Sequence, residues 1–213
     1  MHLFRLDASI RTTGSVSRAL ADTAEQAWLA EHPDAVVTRR DLVADPLPAD
    51  LWPKAVLSAL DPSAPPVPQA QAVVERLSAE LLDADAYVFA VPLYNWGVPA
   101  HFKTWIDVVL LNQAFGAAGD RPLAGRPAVL AMSRGGGYGP GTPKEGWDHN
   151  SPYLKRVLAE VLHLDVHVAE AELTLADVNP AMAPLRGLAA DLLKAGHESA
   201  AAHGRRVADL VRA

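Results

Sequence analysis

Three stretches of this 213-residue chain concentrate groups suited to chemistry. Residues 7–17 set out hydroxyls from Ser9, Thr12, Thr13, Ser15 and Ser17. Ser15 and Ser17 stand where a helix is expected to open, with unpaired N–H groups and a dipole that favours an anion. Hydroxyls and N-terminal amides suit a phosphate monoester without requiring a lysine, and helix capping alone also accounts for the serines. Residues 91–100 place Leu93, Tyr94, Asn95 and Trp96 side by side. Such a segment can wrap a flat ring, with amides at its polar edge and aromatic faces beside it. A tight turn with Trp96 tucked against the next helix is the structural alternative. Residues 131–141 run through Ser133, Arg134, Gly135, Gly136, Gly137, Tyr138, Gly139 and Gly141. Glycines there let backbone N–H groups approach a ligand closely, or leave a flexible loop.

These stretches gain meaning from the elements that must carry them. Apolar runs at 2–6, 35–39, 86–91, 128–132 and 166–169 predict five strands. Helical periodicity is expected at 15–30, 69–82, 99–111, 152–162 and 181–211, the last as one helix or two. Residues 41–68 are rich in proline and aspartate and predict only short structure. Strands separated by helices imply parallel pairing with right-handed crossovers, hence a doubly wound α/β sheet. The apolar 86–91 strand matches burial on both faces. In such sheets ligands sit at the carboxyl ends of the strands, near the switch point. With the flavodoxin-like order 2-1-3-4-5, the first, third and fourth strands are neighbours and their loops meet. A phosphate end, a ring-wrapping loop and an amide-rich edge together describe FMN. One domain over residues 1–213 is expected, with helices on both sheet faces.

Composition narrows the classes. The net charge of −6 argues against a nucleic-acid partner, since phosphate backbones need a basic face. The absence of cysteine removes disulfides, thiolate metal sites and a cysteine nucleophile. No run is long enough for a membrane span, and the apolar start is short and interrupted by Arg5 and Asp7, so a cytoplasmic protein is expected. The dinucleotide and mononucleotide glycine fingerprints and the serine-hydrolase elbow are all missing. His163 and His167 are four apart but straddle a predicted helix–strand junction, so no metal is expected. His101 and Lys103 are expected in solvent, and Trp28 and Trp105 in the core.

Over nearly its whole length the sequence resembles the FMN-dependent NADH azoreductases, also called FMN-dependent NADH:quinone oxidoreductases. The resemblance rests on Ser9 with Ser15, Val16 and Ser17; on Pro92 through Trp96 with Val98, Pro99, Lys103 and Asp107; and on Ser133 through Gly136. Asp41, Leu42, Pro152, Tyr153 and Leu154 also fit. It implies that Ser9, Ser15, Val16 and Ser17 bind the FMN phosphate. Leu93, Tyr94, Asn95 and Trp96 would line the isoalloxazine, and Ser133, Arg134, Gly135 and Gly136 its other polar edge. It further implies NADH or NADPH as donor, a quinone- or azo-type acceptor, and chemistry carried by FMN with no catalytic side chain.

Three departures from the family pattern stand out, the first two in regions that help shape the substrate pocket there; Phe115, Tyr138 and Trp52 are the candidate residues for that pocket. Residues 114–120 are shorter than the family norm, and 157–163 lack its usual Leu-Gly-Phe-x-Gly pattern. The loop after Gly136 is longer and carries Tyr138, Trp147, Asp148 and His149. Compact quinones are therefore expected to react faster than bulky azo dyes. A homodimer is also expected, because a flavin on an open sheet edge needs a second wall, and Leu47, Leu51, Trp52, Val56 and Leu57 are apolar outside the predicted core. The competing readings are a flavodoxin-type electron carrier and a flavin-free or biosynthetic member of the fold.

Overall fold

The computed structural model describes residues 1–60, 63, 67–116 and 119–212. Residues 61, 62 and 64–66 of the 41–68 stretch, and 117 and 118 of the 114–120 segment, lie outside them. Strands β1 (His2–Asp7), β2 (Val36–Asp41), β3 (Ala86–Pro92), β4 (Pro127–Ser133) and β5 (Asp165–Ala171) form one sheet. Its order is β2-β1-β3-β4-β5 with every pair parallel, as expected from the alternating pattern. Every residue of β3 and of β4 is buried, so these strands carry no polar alternation.

The two faces of the sheet are packed differently. Period-2 alternation sends Phe4, Tyr87 and Phe89 to one side, where Phe102 and Trp105 of α4 (Ala100–Val109) complete an aromatic cluster. Leu77 and Leu81 of α3 (Pro68–Leu82) cover the rest. The other side presents small residues, Ala86, Val88, Ala90, Val129 and Ala131, to α1 (Val16–Glu31) and α6 (Arg186–Arg212). Small side chains let these helices come in close. A Cβ on Gly204 would lie 2.3 Å from the Ala24 carbonyl oxygen, and one on Gly196 would lie 2.7 Å from that of Glu170. Trp28 and Trp105 are both core residues, as expected.

Two expectations need correction. Residues 41–68 hold a ten-residue helix, α2 (Leu51–Leu60), rather than only short structure. Leu51 and Ala55 bury one side of it in the core, so Leu51 is not outside the core as expected. Pro53 is tolerated because it falls in the first turn, where its missing N–H has no partner to lose. The helix expected at 152–162 is two pieces: α5 (Asn150–Lys155), then a π-helical turn at Arg156–Val161. The wider turn ends with Leu162 donating its N–H to Val157 O, and His163 follows at φ +59°.

Candidate functional site

The loop after β1 is held from below by charge. Ser15 caps α1, its Oγ accepting the Arg18 N–H at 3.4 Å. The Ser17 hydroxyl is fully buried, 3.4 Å from that of Ser15. Ser9 is buried as well, and its Oγ accepts the Arg11 N–H. Arg18 points back under the loop, donating to Ser9 O at 2.8 Å and to both Asp41 oxygens at 2.7 and 3.0 Å. This pairing holds the Asp41 carboxyl down at about 2, the guanidinium hydrogen bond being the largest cause. Arg5 binds Asp7, Asp22 and Glu25 one layer deeper. A phosphate here would meet hydroxyls, helix amides and Arg11, which lines the same cleft, whereas Arg18 is already paired.

Sequence reasoning did not find Arg18. The signal was present: a cation in the first turn of a helix opposes its dipole and calls for a compensating acid. His101 was expected in solvent. Its Nε2 instead sits 2.7 Å from Ala8 O, tying the first turn of α4 to the start of the same loop. Lys103 does face outward, paired with Asp107.

The loop after β3 is a two-residue hairpin. Tyr94 and Gly97 exchange two backbone hydrogen bonds of 3.0 Å, and Asn95 and Trp96 both have positive φ, 45° and 67°. Such a turn favours glycine, so carrying a tryptophan there costs about 1 kcal/mol or more. The Tyr94 hydroxyl closes on the first loop, 3.2 Å from Ser9 Oγ and accepting the Ile10 N–H at 3.1 Å. Trp96 is not tucked against α4. It is 43% exposed and stands edge-to-face against Trp147, centroids 5.6 Å apart.

The loop after β4 is clamped by Arg134. Its guanidinium meets Asp148 at 2.7 Å, Glu170 at 2.8 Å and Glu172 at 3.1 Å, which fastens the long 137–149 segment to β5. The side chain is thereby committed, and what Arg134 can offer a ligand is backbone. Among the described residues, the Gly135 and Gly136 N–H groups have no hydrogen-bond acceptor. Their carbonyls accept the Leu175 and Leu173 N–H groups. A Cβ on Gly135 would sit 2.7 Å from Leu175, so the glycine admits the loop after β5.

Two adjoining clefts result. The smaller, about 160 Å³, is lined by Ser9, Arg11, Ser15, Val16, Leu93, Tyr94, Ser133 and Gly135. The larger, about 460 Å³, is lined by Leu93, Tyr94, Asn95, Trp96, Gly135, Gly136, Tyr138 and Lys144. Thr174 and Leu175 also line the smaller cleft, and Leu175 the larger. Reading only the loops after β1, β3 and β4 missed this fourth wall. Ser17 lies behind the cleft surface and lines neither. Phe115 is buried and borders a different cavity, of about 300 Å³, with Arg121 and His163. Trp52 lies on α2 at 40% exposure and lines neither cleft. The donor set fits FMN: hydroxyls and first-turn amides at one end, aromatic walls in the middle, unpaired glycine amides at the far edge.

A doubly wound parallel sheet of order 2-1-3-4-5 with clefts at its carboxyl edge is the flavodoxin-like arrangement, and a family model described as a flavodoxin-like fold matches residues 1–184. The chain belongs to that family. It is 40% identical over 208 residues to a protein of Frankia casuarinae named FMN-dependent NADH:quinone oxidoreductase, covering 96% of this chain and 97% of the relative. A Streptomyces avermitilis protein of the same name is 39% identical over 210 residues, covering 97% of each. Among solved structures, an azoreductase from Bacillus anthracis superposes with a TM-score of 0.73 at 21% identity, covering 97% of this chain and 99% of that one. An FMN-dependent NADH-azoreductase of the same species in complex with FMN gives 0.73 at 19% identity, covering 98% and 100%. At those identities the likeness speaks to the fold.

Proposed function

We propose that this chain, acting as one FMN-binding domain, passes electrons from NADH or NADPH through FMN to a quinone- or azo-type acceptor. The observation that carries the reading is the meeting of an anion end, an aromatic wall and an amide edge in two adjoining clefts. The names of its curated relatives support it. Bound FMN supplies hydride transfer, and the protein supplies position and field. Ser9, Ser15, Val16 and Ser17 hold the phosphate, Val16 and Ser17 through first-turn N–H groups. Leu93, Tyr94, Asn95 and Trp96 flank the ring and keep water from one side. The Gly135 and Gly136 amides, set by Ser133 and Arg134, face the edge where negative charge gathers on reduction. Tyr138 stands at the open side, where nicotinamide and acceptor bind in turn.

Titration with FMN tests the cofactor. We expect flavin absorption at about one FMN per chain, and failure to bind added FMN removes the reading. Steady NADH or NADPH oxidation by the loaded protein should be faster with a compact naphthoquinone than with a bulky azo dye. Equal or faster rates with the dye would show that the 137–149 loop does not restrict access.

The working form we propose is a cytoplasmic homodimer whose interface walls the flavin. Trp52 and Leu57 are exposed on α2, at 40% and 59%, beside the buried Leu51 and Ala55. Among the described residues, no helix is long and apolar enough to cross a membrane. Light scattering at micromolar concentration should give twice the chain mass, and Trp52→Asp should lower it. A monomeric mass for the unaltered protein overturns the dimer.

A further inference from the structure

We propose that Lys144 makes the open cleft select acceptors that carry a negative charge on a compact aromatic body, a proposal that rests on the oxidoreductase reading above. Among the described residues lining the larger cleft, Lys144 is the sole charged one; the rest are aromatic, aliphatic, Asn95 or glycine. Its ammonium stands 5.8 Å from the Tyr138 ring centroid. A ring face attracts a cation but leaves its charge uncompensated.

The acids near Lys144 are already engaged. Asp148 pairs with Arg134 and accepts the Ser151 hydroxyl at 2.6 Å. Glu172 meets Arg134 at 3.1 Å and accepts the Tyr138 N–H at 3.4 Å. Glu145, the next residue along, accepts the Gly141 N–H at 2.8 Å. Among the described residues, no carboxylate lies within ion-pair distance of the lysine. The loop that presents it is also fixed in place. Trp147 packs on Trp96, the His149 N–H donates to Trp96 O at 2.9 Å, and the Thr142 hydroxyl donates to Gly139 O at 2.7 Å.

An uncompensated cation at an aromatic cleft, on a chain of net charge −6, reverses the repulsion an anion meets elsewhere on the surface. The dinucleotide donor also carries anionic groups, in its pyrophosphate. Those lie a full ribose away from the nicotinamide ring, whereas Lys144 lines the same cleft as Tyr94, Trp96 and Tyr138, the aromatic walls on which a ligand ring would stack. The geometry therefore favours an acceptor whose anionic group is attached to the ring system.

The test uses FMN-loaded protein, Lys144→Gln and Lys144→Arg, with two readouts. Quenching of tryptophan fluorescence reports binding of naphthalene-2-sulfonate against the neutral naphthalene-2-sulfonamide. Steady-state kinetics compare 1,4-naphthoquinone-2-sulfonate with 1,4-naphthoquinone. In low salt, Lys144→Gln should weaken sulfonate binding about fivefold relative to the sulfonamide, the size of a partly exposed ion pair. The kcat/KM ratio of charged to neutral quinone should fall by a similar factor. Lys144→Arg should keep both preferences, and about 1 M salt should erase them, since screening is then complete within ~3 Å. Unchanged sulfonate preference in Lys144→Gln overturns the proposal. So does a loss confined to flavin reduction by NADH, which would assign the lysine to the donor. Sulfonate preference without any quinone turnover would remove the oxidoreductase reading and leave the charge assignment standing.

Discussion

Ser15→Asp is expected to abolish tight FMN binding while leaving the protein folded. Aspartate caps helices as well as serine does, and its charge suits the dipole at the start of α1. The cap itself is therefore kept. A carboxylate in place of the Ser15 hydroxyl would face the phosphate, however. Two unit charges 4 Å apart repel by about 4 kcal/mol at the effective dielectric of a protein surface, so affinity should fall at least a hundredfold. Arg18 is held by Asp41 and Ser9 O, which leaves Arg11, lining the same cleft, as the cation that can offset part of the repulsion. Flavin titration alongside a circular-dichroism melt separates the effects. Affinity equal to that of the unaltered protein would place the phosphate elsewhere.

Gly204→Leu should act in the opposite sense, on the fold and far from the clefts. A Cβ there would meet the Ala24 carbonyl oxygen at 2.3 Å and the Ala27 Cβ at 2.9 Å. The obstacle is backbone, so α6 has to leave α1. Overpacking of this kind should remove about 3 kcal/mol or more, or about 10 °C in melting temperature for a chain of this length. Gly187 lies on the same helix with nothing within 4 Å of its Cβ position. Gly187→Ala should be neutral or slightly stabilising. A melt for Gly204→Leu indistinguishable from that of Gly187→Ala would mean the two helices are not held at that distance.

The parallel strands were readable from the alternation of strands and helices, and β3 as an internal strand from its apolar run, buried on both faces; their order followed from the flavodoxin-like pattern. Leu93 through Trp96 and Ser133 through Gly136 were readable as a candidate site because aromatic and glycine clusters at strand ends make poor core, and all of them but Arg134 line the two clefts. α2 was hidden by its own composition. Pro48 and Pro53 read as loop, and among the described side chains of the helix Leu51 and Ala55 are the buried ones. The π-helical turn at Arg156–Val161 was invisible because its apolar pattern matches an ordinary helix. Arg18, His101 and Leu175 join the candidate site through contacts made across the fold. Their partners, Asp41, Ala8 and Gly135, are 23, 93 and 40 residues away in the chain, beyond the reach of local spacing.

The turn at Asn95 and Trp96 bears on how the protein can change. Asparagine followed by glycine would form the same two-residue connection with less strain. A glycine at 96 would relax the backbone but would also empty one wall of the larger cleft and leave Trp147 without its partner. Robustness and function therefore pull in opposite directions at this one position. Variants selected only for heat resistance would drift toward glycine there, whereas those that must keep working would retain a bulky ring at the expense of a less comfortable backbone.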